Sequence, residues 1–133
     1  VVLVRELRRR GVKVAVVSAS ENTQAALEAA GIADLFDARV DGLVVKQRHL
    51  NGKPAPDSFL EAATMLKVAP DAAVVIEDAL AGVEAGRAGH FALVVGVDNH
   101  DDEGRNEYAD ELRAHGADVV VRDLRDVLGE STT

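Results

Sequence analysis

Cysteine and tryptophan are absent, and the aromatic residues of the 133-residue chain are three phenylalanines and one tyrosine. Without thiols the chain forms neither a disulfide framework nor a thiolate zinc site. Long apolar runs are also missing. The longest are about six residues, far below the roughly 20 that span a bilayer, and no cleavable signal pattern opens the sequence. Positive charge is scarce, because 15 Lys plus Arg against 23 Asp plus Glu leaves a net charge of −8. Such a field repels phosphate backbones and anionic lipid. The expectations are therefore no nucleic-acid partner, no membrane partner and a cytoplasmic location. What is present suits one core: 47% of residues are hydrophobic, and at this length roughly two-thirds of the chain's surface can be buried on folding. The chain starts Val1-Val2 and its one methionine is Met65, so it reads as a processed polypeptide or the downstream part of a longer one.

Valine and alanine dominate, and they are segregated. Valine-rich runs at Val12 to Val17, Ala73 to Ile76, Ala92 to Val95 and Val119 to Val121 lack polar alternation, as strands buried on both faces do. Alanine-rich amphipathic stretches separate them. Val2 to Arg9 carries Leu3 and Leu7 among charges and is stopped by Gly11, which predicts a helix leading into the first strand. Glu21 to Ala30 repeats the plan and ends at Gly31. A short run at Phe36 to Val40, a short helix at Gly42 to His49 and a turn at Asn51-Gly52 follow. After Pro54-Ala55-Pro56 a helix is expected, with Ser58 and Glu61 as a capping box and Asp57 favourably placed near its dipole. Helices at Ala79 to Ala88, Arg105 to His115 and Leu124 to Leu128 complete the alternation. This pattern predicts an α/β fold, a parallel sheet with helices on both faces, with ligands at the carboxyl ends of the strands. Residues 1–129 form one domain and 130–133 a loose tail. No internal repeat or low-complexity tract is present.

In such a sheet the polar residues that follow each strand share one edge. Ser18-Ala19-Ser20-Glu21-Asn22 leads from the first strand into a helix, and hydroxyls with free amides at that place can cradle an anion. Ser20 serves equally well as a plain N-cap, whereas Ser18 has no comparable local use. Lys53 sits in a loop stiffened by two prolines, which limits the entropy lost when its ammonium meets an anion. The ordinary alternative is a solvated loop lysine. Glu77 and Asp78 adjoin at the end of a buried strand, where two carboxylates repel unless a cation or donors compensate. Hard oxygen ligands favour Mg²⁺. The alternative is that Asp78 caps the next helix and Glu77 is solvated. Gly82, Gly86 and Gly89 are too widely spaced for a dinucleotide fingerprint and suit close helix packing. His49, His90, His100 and His115 show no metal-ligand spacing.

Three motifs in order resemble the haloacid dehalogenase superfamily, in its β-phosphoglucomutase-like branch. They are Val12-Lys-Val-Ala-Val-Val-Ser-Ala-Ser20, Gly52-Lys-Pro-Ala-Pro-Asp57 and Val74-Val-Ile-Glu-Asp-Ala-Leu-Ala-Gly82. The likeness runs from Val2 to about Leu128. It implies a three-layer Rossmann-like core in which Ser18 and the Ala19 amide hold the transferred phosphoryl group, with Asn22 as a further ligand. Lys53 would bridge that group to the nucleophile, and Asp78 would bind Mg²⁺ with Glu77 assisting. Phosphoryl transfer needs mainly positioning and charge compensation, which these residue types supply. The pattern departs in one place. Family members begin with an Asp-x-Asp-x-Thr motif that holds the nucleophile and the acid/base, and neither Asp37 with Asp41 nor the Asp98 to Asp102 cluster matches it. Nucleophile, acid/base and helical cap would all precede Val1.

The resemblance implies a phosphatase or phosphomutase that acts on a small phosphorylated sugar through an aspartyl-phosphate. These residues would be the downstream portion of its core, inactive alone. The competing reading is a non-catalytic module of the same fold that binds phosphate, Mg²⁺ or a partner chain. A phosphoacceptor receiver domain is excluded by the order of acidic residues and lysine. In the family's sheet the strand of the missing motif lies between the strand of Val12 to Val17 and that of Ala73 to Ile76. The gap would be filled by an upstream segment, by a strand exchanged from a second copy, or by direct pairing of the two flanking strands.

Overall fold

The computed structural model describes residues 2–99, 105–124, 126 and 127, and within these, strands alternate with helices as the valine and alanine segregation requires. Helix α1 (Val2–Arg9) buries Leu3 and leads to strand β1 (Ala15–Val17). Helix α2 (Thr23–Ala29) and a 3-10 turn at Ala33–Leu35 return the chain to β2 (Ala38–Val40). Short helix α3 (Gly42–Gln47) and α4 (Asp57–Leu66) precede β3 (Val74–Glu77). The run α5 (Leu80–Ala88), β4 (Leu93–Val97), α6 (Arg105–His115) and β5 (Val119–Val121) follows. The expected helix at Leu124 to Leu128, the tail and His100 fall wholly or partly outside the described residues.

All pairings are parallel, but they form two sheets. One is β1-β2, with Ala15 opposite Ala38 and Val17 opposite Val40; the other is β3-β4-β5, with Val75 opposite Val94 and Val97 opposite Val121. Direct pairing of β1 with β3, one of the three expected outcomes, does not occur. A cleft of about 660 Å³ lies between them, walled by Val14, Ala15 and Val17 on one side and Val74, Val75 and Ile76 on the other, with Phe59 and Ala62 of α4 also lining it. Val12 and Val74 are exposed.

The packing shows which way the strands run. Val17 packs on the Phe59–Val75–Ala85 cluster near the start of α4, while Lys13 Nζ donates to the carbonyl of Leu66 at its end, 3.0 Å away. Helix α4 is therefore antiparallel to β1 and returns the chain to the beginning of β3. Ser18 and Glu77 consequently emerge at the same edge. Val83, Val94, Leu112 and Ala117 knit α5 and α6 to one face of the larger sheet, and Val95, Val97 and Val121 form a cluster on the other. Gly86 lets α5 approach, since a Cβ there would stand 3.1 Å from Val94 and 3.2 Å from Val75.

Two local expectations change. Strand β1 is shorter than Val12 to Val17, because the Asp37 carboxylate takes the Val14 N–H (2.7 Å) and also binds Arg8 (2.8 Å). That backbone hydrogen bond, and then Arg8, hold the Asp37 pKa below the ordinary range. The Ser58–Glu61 capping box does not form, since α4 already begins at Asp57. Ser58 is thereby carried inside the helix and buried, and Glu61 pairs with Arg48 at 2.6 Å.

Asp41 does the capping work that sequence patterns did not assign. Fully buried, it accepts from Leu43 N and Val44 N (both 3.1 Å) and from Arg39 Nε (2.7 Å). Asp41→Ala is expected to lower stability by about 2 to 3 kcal/mol, a lost cap plus a broken, partly buried ion pair. Asp41→Asn, which keeps an acceptor, should cost about half as much. Urea unfolding of both variants measures the difference.

Candidate functional site

Lys53 is held from two sides. Its Nζ lies 2.8 Å from Glu77 Oε2 and 4.9 Å from the centre of the Phe59 ring. Phe59 is buried and meets Phe91 edge-on, so the ring is a fixed platform for the ammonium. The turn that carries Lys53 closes with Ala55 N donating to Gly52 O at 3.0 Å. The side chain is only 27% exposed, which is not the solvated loop lysine of the ordinary alternative.

Glu77 completes the anchor. Its Oε1 accepts from Asp78 N (3.0 Å) and Ala79 N (3.2 Å), so Glu77 rather than Asp78 satisfies the amides before α5. This overturns the reading in which Asp78 caps the helix and Glu77 is solvated: the N-cap residue is Ala79, with no side-chain cap, and the Glu77 side chain is 13% exposed. Burial works to raise the Glu77 pKa, but Lys53 and the donors of the turn outweigh it and hold it low. Asp78 is displaced upward by its contact with the Glu77 carboxyl, then by partial burial and by the Glu77 charge. An exposed carboxylate whose charge is under-compensated is what remains for a cation. Its Oδ2 has Asn99 Nδ2 at 3.5 Å. A carboxylate has about four acceptor positions, of which Glu77 uses three. Among the described residues no group of three or more His, Cys, Asp or Glu builds a closed metal cage. The donor set instead fits an ion that keeps waters and one or two carboxylates, as Mg²⁺ does.

Gly82 has a different use from the helix packing expected of it. A Cβ there would lie 2.1 Å from Glu77 Cγ and 2.2 Å from its Oε2. The glycine makes room for the folded-back carboxylate that holds Lys53.

The Ser18–Asn22 turn stands at the end of β1. Ser18 N extends the ladder to Val40 O (2.9 Å) and Ser18 Oγ accepts from Ser20 N (3.2 Å). Ser18 thus does have a local partner, contrary to expectation, although a hydroxyl that accepts can still donate its proton. Ser20 Oγ accepts from Asn22 N (3.1 Å), and the N-cap of α2 is Asn22, whose side chain makes no capping hydrogen bond. Ala19 and Asn22 are exposed. Gly42 lets α3 start against this turn, because a Cβ would stand 2.5 Å from Ala19 O.

Sequence reasoning missed Phe59 and Tyr108, and assigned Gly82 another use. Phe59 reads as an ordinary core residue, and nothing in the pattern around Tyr108 marks it, although its hydroxyl reaches the Asp78 carbonyl from α6.

The chain is similar to known proteins in sequence and in fold. The model of haloacid dehalogenase-like hydrolases matches residues 2–90. The β-phosphoglucomutase of Mycobacterium bovis is 55% identical over 118 residues, which cover 89% of this chain and 44% of that protein. The β-phosphoglucomutase of Clostridium difficile superposes with a TM-score of 0.78 at 30% identity, covering 98% of this chain and 52% of that one. A HAD family hydrolase of Deinococcus radiodurans, with bound phosphate and sodium, gives a TM-score of 0.77 at 31% identity, over 98% of this chain and 57% of that one. The chain spans about half the length of these relatives. No helix among the described residues is long and apolar enough to cross a membrane. On the family match over residues 2–90, the chain belongs to the haloacid dehalogenase-like hydrolases.

Proposed function

We propose that these residues form the phosphate- and Mg²⁺-binding half of a phosphotransferase acting on a small phosphorylated sugar, a phosphatase or a mutase of the β-phosphoglucomutase kind. The observation that carries this reading is Lys53, locked on Glu77 beside the exposed Asp78 carboxylate at the edge where Ser18 ends β1. Ser18, the Ala19 amide and Asn22 hold the phosphoryl oxygens, and Lys53 offers a charge-assisted donor to them. Asp78 holds Mg²⁺, with Glu77 assisting through its remaining acceptor position. The ion supplies charge neutralisation at the phosphoryl oxygens.

The attacking carboxylate belongs, in this proposal, to a segment outside residues 1–133 that enters the cleft between β1 and β3 as a strand. Its oxygen bonds phosphorus, the sugar ester P–O bond breaks, and the departing oxygen takes a proton from a second carboxylic acid of that segment. The resulting aspartyl-phosphate passes the group to water or to another sugar hydroxyl.

Asp78→Ala is expected to abolish Mg²⁺ binding in calorimetry, and Lys53→Ala to weaken vanadate binding about tenfold or more, the loss of one charge-assisted contact. Unchanged Mg²⁺ affinity in Asp78→Ala would remove the metal from this reading, and unchanged vanadate affinity would remove Lys53. Residues 1–133 alone should not turn over an aryl phosphate, since the electrophilic groups are here and the nucleophile is not. Turnover by the purified chain, lost in Lys53→Ala, would overturn that assignment.

A further inference from the structure

We propose that Tyr108 is the positioning residue of the Asp78 turn: its hydroxyl fixes the Asp78 backbone and so the direction of the Asp78 carboxylate. The inference rests on the reading of Asp78 as a cation ligand. Tyr108 O–H donates to the Asp78 carbonyl oxygen at 2.5 Å, from 30 residues away in sequence. On the other side of the same Cα, Asp78 N–H donates to Glu77 Oε1 at 3.0 Å. With both flanking peptide groups held, only the side-chain torsions of Asp78 stay adjustable. Ala79 adds no side-chain cap, so the turn depends on these two contacts and on Ala79 N.

The Tyr108 ring packs on the Val83–Val94–Leu112–Ala117 cluster, which fixes where its hydroxyl stands. Helix α6 thereby connects the core of the larger sheet to the orientation of one carboxylate. This matters for Mg²⁺, which tolerates little departure from octahedral geometry.

The test compares the intact protein with Tyr108→Phe, which keeps the ring and deletes only the donor. In metal-free protein, amide exchange at Asp78 and Ala79 should quicken about fivefold, the loss of one ordinary hydrogen bond, while exchange at Val94 and Val95 stays unchanged. Mg²⁺ affinity by calorimetry should weaken by about the same factor. Unchanged exchange at Asp78 and Ala79 overturns the proposal. Equal acceleration at Val94 and Val95, with a lowered melting temperature, also overturns it, because Tyr108 then acts only through the core. Asp78→Asn, titrated in parallel, isolates the underlying reading. If it binds Mg²⁺ as well as wild type, the metal assignment of Asp78 fails, and the exchange result alone decides whether Tyr108 holds the turn.

Discussion

Joined to a segment that supplies one extended apolar strand, residues 1–133 should unfold at a temperature at least 10 °C higher than they do alone. The cleft between β1 and β3 presents two strand edges that make no pairing with each other, and its lining is mostly apolar, with Lys13 and Glu77 as its charged members. A strand seated there pairs on both sides, each hydrogen bond contributing about 0.5 to 1.5 kcal/mol net. Each valine- or isoleucine-sized side chain that it buries contributes about 1.5 to 3 kcal/mol. Ordering its backbone costs about 1 to 2 kcal/mol per residue. A residue that is buried and hydrogen-bonded therefore gains roughly 1 kcal/mol on balance, and a strand of about five residues gains about 5 kcal/mol. For a domain of this size that corresponds to roughly 15 °C. Thermal unfolding followed by circular dichroism measures the shift, and amide exchange at Ala15–Val17 and Val74–Glu77 should slow with it. An unchanged midpoint with unchanged exchange would show that the strand order proposed for the complete sheet is wrong.

Gly82→Ala is expected to weaken phosphate-analogue binding by more than tenfold. The added methyl group would occupy the space of Glu77 Cγ, Cδ and Oε2, all within 2.2 Å of it. Glu77 must swing out, and it then loses Lys53 and the amides of Asp78 and Ala79 together. Alanine in place of glycine favours the helix by about 1 kcal/mol. That gain is smaller than the loss of two or three hydrogen bonds to a charged group at about 1.5 to 3 kcal/mol each, so the net is a destabilisation of about 2 to 8 kcal/mol. The freed ammonium no longer has a fixed place, so vanadate affinity should fall by more than tenfold. The control is Gly86→Ala, whose methyl group has Val94 and Val75 as its nearest neighbours, at 3.1 Å or more. It should lower stability and leave the affinity of the folded protein unchanged. If Gly82→Ala bound vanadate normally, Glu77 would not be what holds Lys53 in place.

The parts of the fold legible in the sequence were those set by local pattern. Helix Val2–Arg9 and strand Val119–Val121 stand where composition placed them, because amphipathic spacing and an unbroken valine run each have one good solution. Boundaries moved where a side chain competed with the backbone. Asp37 shortened β1 by taking the Val14 N–H, and α4 began at Asp57 instead of waiting for Ser58. The candidate site residues Ser18, Lys53, Glu77 and Asp78 could be named because each ends or follows a strand or sits in a stiff turn. What each touches could not be. Glu77 accepts the amides expected of Asp78 because Gly82, five residues on, leaves it the space, and that steric relation has no signature in residue type. Tyr108 acts through a contact across 30 residues, and Phe59 through a ring face turned toward Lys53, neither of which periodicity reveals.

The division into two sheets also bears on the order of assembly. Strands β3, β4 and β5 with α5 and α6 are contiguous from Val74 to Val121, and each pairing closes over a single helix. Contacts of such short sequence separation form early, since little loop entropy is lost in making them. The β1-β2 pair is closed through α2, and its link to the larger sheet runs through the side chains of α4 without a backbone ladder. The chain should therefore fold as two cooperative units of unequal strength. The Val74–Val121 unit would be the last to open, and the β1-β2 unit would breathe ahead of global unfolding.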